Sequence, residues 1–227
     1  MHNGAFFTTR LGLILTGIGM AVGTGNLWRF PRVVAENGGG AFIFAWMTCL
    51  FLWSIPLLIA EFSVGRHTRR APIGAFAALL GPKSAWMGGF VALTSIMIMF
   101  YYSVVTGWTL KYTVASCFGD LSGIDHAVYW RDYTRSIWQP VGFHLISISL
   151  AGYVVSRGVV NGIERINRLL MPLLFALLLM SVIRSVTLPG SADGIRFLFT
   201  FEWHDLANHQ IWLEALTQSA WSTGAGW

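Results

Sequence analysis

Gly17-Ile18-Gly19-Met20-Ala21-Val22-Gly23-Thr24-Gly25-Asn26-Leu27-Trp28-Arg29-Phe30-Pro31 is the stretch that decides the fold. It lies inside an apolar run long enough to cross a bilayer. Its glycines make a poor helix interior, because glycine gives up the most backbone entropy on ordering. The reading is a membrane helix that unwinds at about residues 20–25. Unwound backbone at mid-membrane exposes C=O and N–H groups, which are costly unless something binds them. A cavity follows, where freed carbonyls suit a small cation and the half-helix ends suit an ion or a charged substrate. Gly19 and Gly23 also fit a Gly-x-x-x-Gly packing pattern. Asn26 and Arg29 at membrane depth favour the binding reading, since polar groups there are expensive unless used.

The rest of the chain has the composition of a membrane protein. Charged residues make up 11% of it, against about 25% in soluble domains. Apolar runs recur, so the fold class is all-α and polytopic. Five complete spans fall at about 11–35, 40–65, 87–115, 140–157 and 163–187, and a further segment enters the bilayer at about 208–221. Pro56 is expected to bend the second span. No small-residue cleavage site follows the first run, which reads as a span rather than a signal peptide.

Net charge is +5. No basic cluster is interleaved with exposed aromatics, which argues against nucleic acid and assigns the charge to topology. Arg66, Arg69, Arg70 and Lys83 share one loop without an acid, and Arg157, Arg165 and Arg168 face Glu164 in another. Asp120, Asp125, Asp132, Asp193, Glu202 and Asp205 lie on the opposite side, and the first three read as solvated charge. The positive-inside rule places the N-terminus in the cytoplasm. Cys49 and Cys117 read as buried small hydrophobes, His144 as a satisfied core histidine, and Lys111 as a snorkelling cation. There is no nucleophile–base pair, phosphate loop or thiolate cluster, so no enzyme is expected.

A second dissolving helix closes the sequence: Ser219-Ala220-Trp221-Ser222-Thr223-Gly224-Ala225-Gly226-Trp227. Paired broken segments in the two halves of a transporter point to its binding site. The sequence reads as one integral-membrane domain over 1–227, ending inside the second break.

Several motifs together resemble the neurotransmitter:sodium symporter family. They are Gly19-Met-Ala-Val-Gly-Thr-Gly-Asn-Leu-Trp-Arg-Phe-Pro31, Glu36-Asn-Gly-Gly-Gly-Ala-Phe42, Glu61 with Gly65-Arg66, Tyr101-Tyr102, and Gly162-Ile-Glu-Arg-Ile-Asn167. The resemblance implies a LeuT-type inverted-repeat fold of about twelve spans, here its first repeat (spans 1–5) plus the start of helix 6. It implies sodium held by Ala21 carbonyl, the Asn26 side-chain oxygen and the Ser222 hydroxyl, and a second sodium at the carbonyls of Gly19 and Val22. Substrate carboxylate would meet Thr24 and Gly25 N–H groups and Tyr102 hydroxyl. Ala21, Gly23, Ile98, Trp221, Gly224 and Trp227 would complete the substrate pocket. Arg29 would be the outer gate, pairing through water with a helix-10 acid. Glu61 would brace the unwound segments, against an alternative in which it snorkels beside Arg66.

Gly23 stands where monoamine carriers of the family have Asp, which implies a substrate bringing its own carboxylate, an α-amino acid. Gln218 and Ser222 match a chloride site, while Trp46 replaces its Tyr; the chloride requirement stays open. Sodium is the implied metal and the co-transported ion. The implied activity is sodium-coupled symport by alternating access in a bacterial inner membrane. A non-transporting half, acting as an assembly or regulatory subunit, is the alternative, and a channel ranks below both. Partners are the amino acid, the lipid bilayer, and either a homodimer or a missing C-terminal half.

Overall fold

Helix α1 (Arg10–Ala21) stops inside the glycine stretch, and Val22 takes φ −85° and ψ 78°, outside helical geometry. The structure, a computed structural model, describes residues 9–22, 25–119, 121 and 123–224. Chain direction is recovered in a π-turn at Gly25–Arg29, which feeds α2 (Phe30–Glu36) with Pro31 in its first turn. Proline suits that position because its missing N–H has no helical partner to lose. At its other end, α1 is capped by Thr9, whose hydroxyl accepts from Gly12 N–H at 2.9 Å.

Span 2 is continuous but not uniform. It runs through α3 (Gly40–Cys49), a π-turn (Leu50–Ser54) and α4 (Ile55–Thr68). The extra residue of the π-turn sits just before Pro56, where the proline ring would clash with a regular preceding turn. After α5 (Pro72–Leu80) come the long α6 (Ala85–Phe118), α7 (His126–Arg135) and α8 (Trp138–Ser156). A π-turn (Val159–Glu164) then leads into α9 (Arg165–Val186), followed by α10 (Ser191–Phe199) and α11 (His209–Thr223).

Among the described residues, three helical stretches are long and apolar enough to cross a membrane: Gly40–Thr68, Pro82–Phe118 and Val159–Val186. Most of their large apolar side chains face outward, as with Leu52 at 77% exposure and Leu179 at 61%. In water such a surface would be untenable; against hydrocarbon it is the expected exterior. The densest core lies between α2, α3 and α11, where Val33, Val34, Phe42, Ala45, Ile211 and Ala215 are buried together.

The Asn37-Gly38-Gly39-Gly40 turn between α2 and α3 has two reasons for its glycines. Gly38 and Gly39 take positive φ, 80° and 55°. The backbone of α10 also presses on the turn. A methyl on Gly39 would stand 2.6 Å from Phe197 O, and one on Gly40 would stand 2.3 Å from Thr200 O. Phe44, Phe201 and Trp203 stack edge-on beside this contact. We predict that Gly40→Ala lowers the thermal midpoint by about 5 °C or more, because the clash is with backbone that cannot rotate away. Scanning fluorimetry on purified protein checks it, with Gly17→Ala as the control, since nothing lies within 4 Å of that position.

Several sequence expectations change. The segments between spans hold two short helices, α7 and α10, that the span reading did not include, and Asp125, exposed as expected, also caps α7 by accepting from Ala127 and Val128 N–H. Lys111 does not simply snorkel; its ammonium lies 5.3 Å from the Tyr129 ring centre and 5.9 Å from that of Phe143. His144 has a buried Nδ1 without a hydrogen-bond partner, so it is not fully satisfied. Cys117 is exposed rather than buried, and Cys49 is half-buried. On α7, burial raises the Tyr133 phenol above its ordinary range, with Tyr112 adding to the effect.

The largest change is Glu164. Read as a loop acid, it is 1% exposed. It accepts from Thr9 hydroxyl at 3.1 Å and pairs with Arg168 one turn along. Further along the same seam, Asn167 donates to Thr16 at 3.3 Å. These contacts clasp the first half of α1 onto α9.

Candidate ion and substrate site

The break in α1 is where the candidate residues converge. Ending at Ala21 leaves the last carbonyls of α1 without the partners a continued helix would give. Asn26, one turn past the break, reaches back: its amide nitrogen donates to Ala21 O at 2.7 Å and to Ser222 O at 3.3 Å. The second contact crosses to α11, 196 residues away. Meanwhile Asn26 Oδ1 is buried with no hydrogen-bond partner among the described residues. A buried amide oxygen left unpaired is unfavourable unless a donor or cation joins it, and the Ala21 and Ser222 carbonyls lie on the same amide through its nitrogen. These oxygens are the donor type that hard cations such as sodium take.

On α11, Glu214, Gln218 and Ser222 are spaced four apart and share one face. Gln218 is fully buried. Its oxygen accepts from Arg29 Nη1 at 2.5 Å, and its nitrogen donates to Ser222 Oγ at 3.1 Å. Arg29 also forms an ion pair with Glu214 at 2.9 Å. Arg29 is thus held directly by two α11 side chains. Sequence reasoning named Arg29 and Gln218 but missed Glu214. The signal was present, since Glu214 is an acid inside an entering apolar segment, one turn before Gln218.

Below this network, Ser54 and Ser219 share a hydrogen bond of 2.5 Å, both fully buried, tying the π-turn of span 2 to α11. Tyr102 stacks on Trp221 with centroids 6.1 Å apart and an interplanar angle of 29°. Ile98 lies one turn before Tyr102 on α6 and is half-buried. Span 3 and α11 therefore meet through the residues named for the substrate pocket. Gly224 caps α11 in the left-handed region at φ 67°. Gly19 sits in the last turn of α1 facing Asn167 and Met171, and Glu61 is half-buried on α4. Gly23, Thr24 and Trp227, also named for the pocket, lie outside the described residues, and Gly25 opens the π-turn.

A family model described as the sodium:neurotransmitter symporter family matches residues 5–134 and 137–227. The chain belongs to that family. A symporter-family relative from Bacillus subtilis (strain 168), the uncharacterized sodium-dependent transporter YhdH, is 36% identical over 97% of this chain and 49% of its own length. The sodium-dependent neutral amino acid transporter B(0)AT2 of Mus musculus is 30% identical over 97% of this chain and 34% of its own. Among solved structures, the crystal structure of MhsT in complex with L-phenylalanine superposes with a TM-score of 0.86 at 33% identity, covering 96% of this chain and 50% of that one. The chain spans about half the length of the curated relatives it matches. Its fold is the LeuT type, all-α and membrane-embedded. For this member of the sodium:neurotransmitter symporter family, the chloride reading gains one observation. The indole N–H of Trp46 is buried with no partner among the described residues, whereas Gln218 already engages Arg29 and Ser222.

Proposed function

We propose that the protein carries out sodium-coupled symport of an α-amino acid by alternating access. The observation that carries this reading is Asn26 at the helix break: its side-chain oxygen is buried with no partner among the described residues, while its amide nitrogen donates to Ala21 O and to Ser222 O of α11. In this reading sodium is held by Ala21, Asn26 and Ser222, with a second ion at the carbonyls of Gly19 and Val22. Substrate carboxylate lies toward Thr24, Gly25 and Tyr102, and Ala21, Gly23, Ile98, Trp221, Gly224 and Trp227 shape the pocket. Arg29 closes the outer side and Glu61 braces the break.

Sodium and substrate binding reinforce each other as a coupling free energy between neighbouring sites. The Tyr102–Trp221 stack supports a pocket with an aromatic wall, suited to an apolar or aromatic side chain. MhsT, of similar structure, is described with L-phenylalanine bound. The topology proposed is five spans and the start of a sixth, in a bacterial inner membrane with the N-terminus in the cytoplasm.

The test is uptake of a labelled amino acid mixture into liposomes carrying the complete gene product, with and without an inward sodium gradient. Sodium-dependent accumulation is expected. Folded protein that accumulates no amino acid under either condition would overturn the substrate assignment.

A further inference from the structure

We propose that Glu214 is a positioning residue for the sodium site, acting through Arg29 and Gln218 on Ser222. The proposal rests on the sodium-site reading above and adds to it a residue and a route. The route is one unbroken chain of contacts. Glu214 Oε2 pairs with Arg29 Nη2 at 2.9 Å, Arg29 Nη1 donates to Gln218 Oε1 at 2.5 Å, and Gln218 Nε2 donates to Ser222 Oγ at 3.1 Å. From Ser222 it passes to Asn26, whose amide nitrogen donates to Ser222 O.

The direction of influence follows from donor and acceptor types. Arginine carries donors only. It can therefore meet only the oxygen end of the Gln218 amide. Gln218 is fully buried, so neither end of its amide can turn to water instead. With the oxygen held outward by Arg29, the nitrogen must face Ser222. The Ser222 hydroxyl is then an acceptor toward Gln218, with its oxygen fixed in place and its second lone pair available to a cation. A ligand oxygen held in one orientation binds a metal more tightly than one that must be ordered on binding.

Glu214 sets where Arg29 stays. The two side chains are 35% and 21% exposed, a partly buried pair two turns before Ser222 on α11. Without the carboxylate, the guanidinium has an amide oxygen as its remaining partner and water within reach. A lone cation in that setting moves toward water. Gln218 is then free to turn, and Ser222 loses the contact that fixes its hydroxyl. A charge two turns away thereby controls the shape of the ion site.

The experiment measures the half-saturating sodium concentration for uptake in liposomes carrying the complete gene product, for the wild type, Glu214→Gln, Glu214→Asp, Gln218→Met, the Glu214→Gln/Gln218→Met double variant and Asn26→Ala. Glu214→Gln should raise the sodium requirement about tenfold, in the range for residues that orient a metal ligand. Uptake at saturating sodium should change by less than about threefold, because the ligands themselves remain. Glu214→Asp should fall between the wild type and Glu214→Gln. The double variant should match Gln218→Met alone, since both changes break the same route.

If Asn26→Ala abolishes sodium dependence while Glu214→Gln leaves the sodium requirement unchanged, the proposal is wrong and the site reading stands. Additive effects in the double variant overturn the route through Gln218. If Asn26→Ala retains full sodium dependence, the site reading falls and this proposal with it. Should Glu214→Gln not be recovered as folded protein by size-exclusion chromatography, Glu214→Asp decides alone, and no rise in its sodium requirement overturns the proposal.

Discussion

Asn26→Ala abolishes sodium-driven uptake: that is the first expected result, and the loss in apparent sodium affinity should be at least a hundredfold. The size follows from what is removed. Changing a group that merely orients a ligand costs about 10–100-fold in metal affinity, and the Asn26 oxygen is proposed as a ligand itself. The substitution also deletes the amide nitrogen that bridges Ala21 O and Ser222 O. Those carbonyls then face one another across the break with no donor between them, an arrangement with a desolvation cost of about 1–3 kcal/mol per buried group. Two terms therefore act together, loss of a ligand and loss of the bridge that shapes the site. The measurement is initial uptake rate against sodium concentration, with folding checked by size exclusion and by far-ultraviolet circular dichroism. Wild-type sodium dependence in Asn26→Ala would remove Asn26 from the ion site.

What the sequence made legible was the break itself, and for a local reason. Glycines at 17, 19, 23 and 25, followed by Asn26 and Arg29, announce unwinding and polarity within a few residues of each other. Tyr102 and Trp221 entered through the family resemblance, and the structure stacks their rings on one another. Glu214 and Glu164 were not legible in their roles, because what defines them lies far off in the chain. Glu214 takes its partner from a residue 185 positions earlier, and Glu164 meets Thr9, 155 positions earlier. By hydropathy, Glu164 beside Arg165 and Arg168 looks like any charged loop. What turns it into a buried carboxylate is the absence of a side chain at Gly12, and nothing in the local pattern reports that. The outer-loop helices α7 and α10 were missed for a related reason. Each is about ten residues, too short to stand out as a span, and each is held by packing: Trp130 on Trp108, and α10 on the glycines of the α2–α3 turn.

Gly12→Val should open the N-terminal end of α1, the end that the proposed topology places in the cytoplasm. A side chain cannot be added there without moving Glu164, since even a Cβ would stand 2.2 Å from its carboxylate oxygen. The carboxylate has no slack to absorb this, being 1% exposed and engaged by Thr9 and Arg168. Either α1 backs away from α9 or Glu164 leaves its partners, and both release the clasp. Losing a buried, hydrogen-bonded charge contact costs about 3–5 kcal/mol. Even half of that shifts a two-state equilibrium by about tenfold. The readout is thiol labelling at Thr16→Cys, in protein whose Cys49 and Cys117 are replaced by serine. Thr16 is 8% exposed and faces Asn167 across the same seam, so a membrane-impermeant reagent should reach it slowly while the clasp is shut. In Gly12→Val the labelling rate from the cytoplasmic side should rise at least tenfold. Gly17→Val, on the same helix with open space around it, should leave the rate near that of the parent. Equal labelling in all three would mean that the α1–α9 clasp does not govern access from that side, and that closure there is set by other contacts.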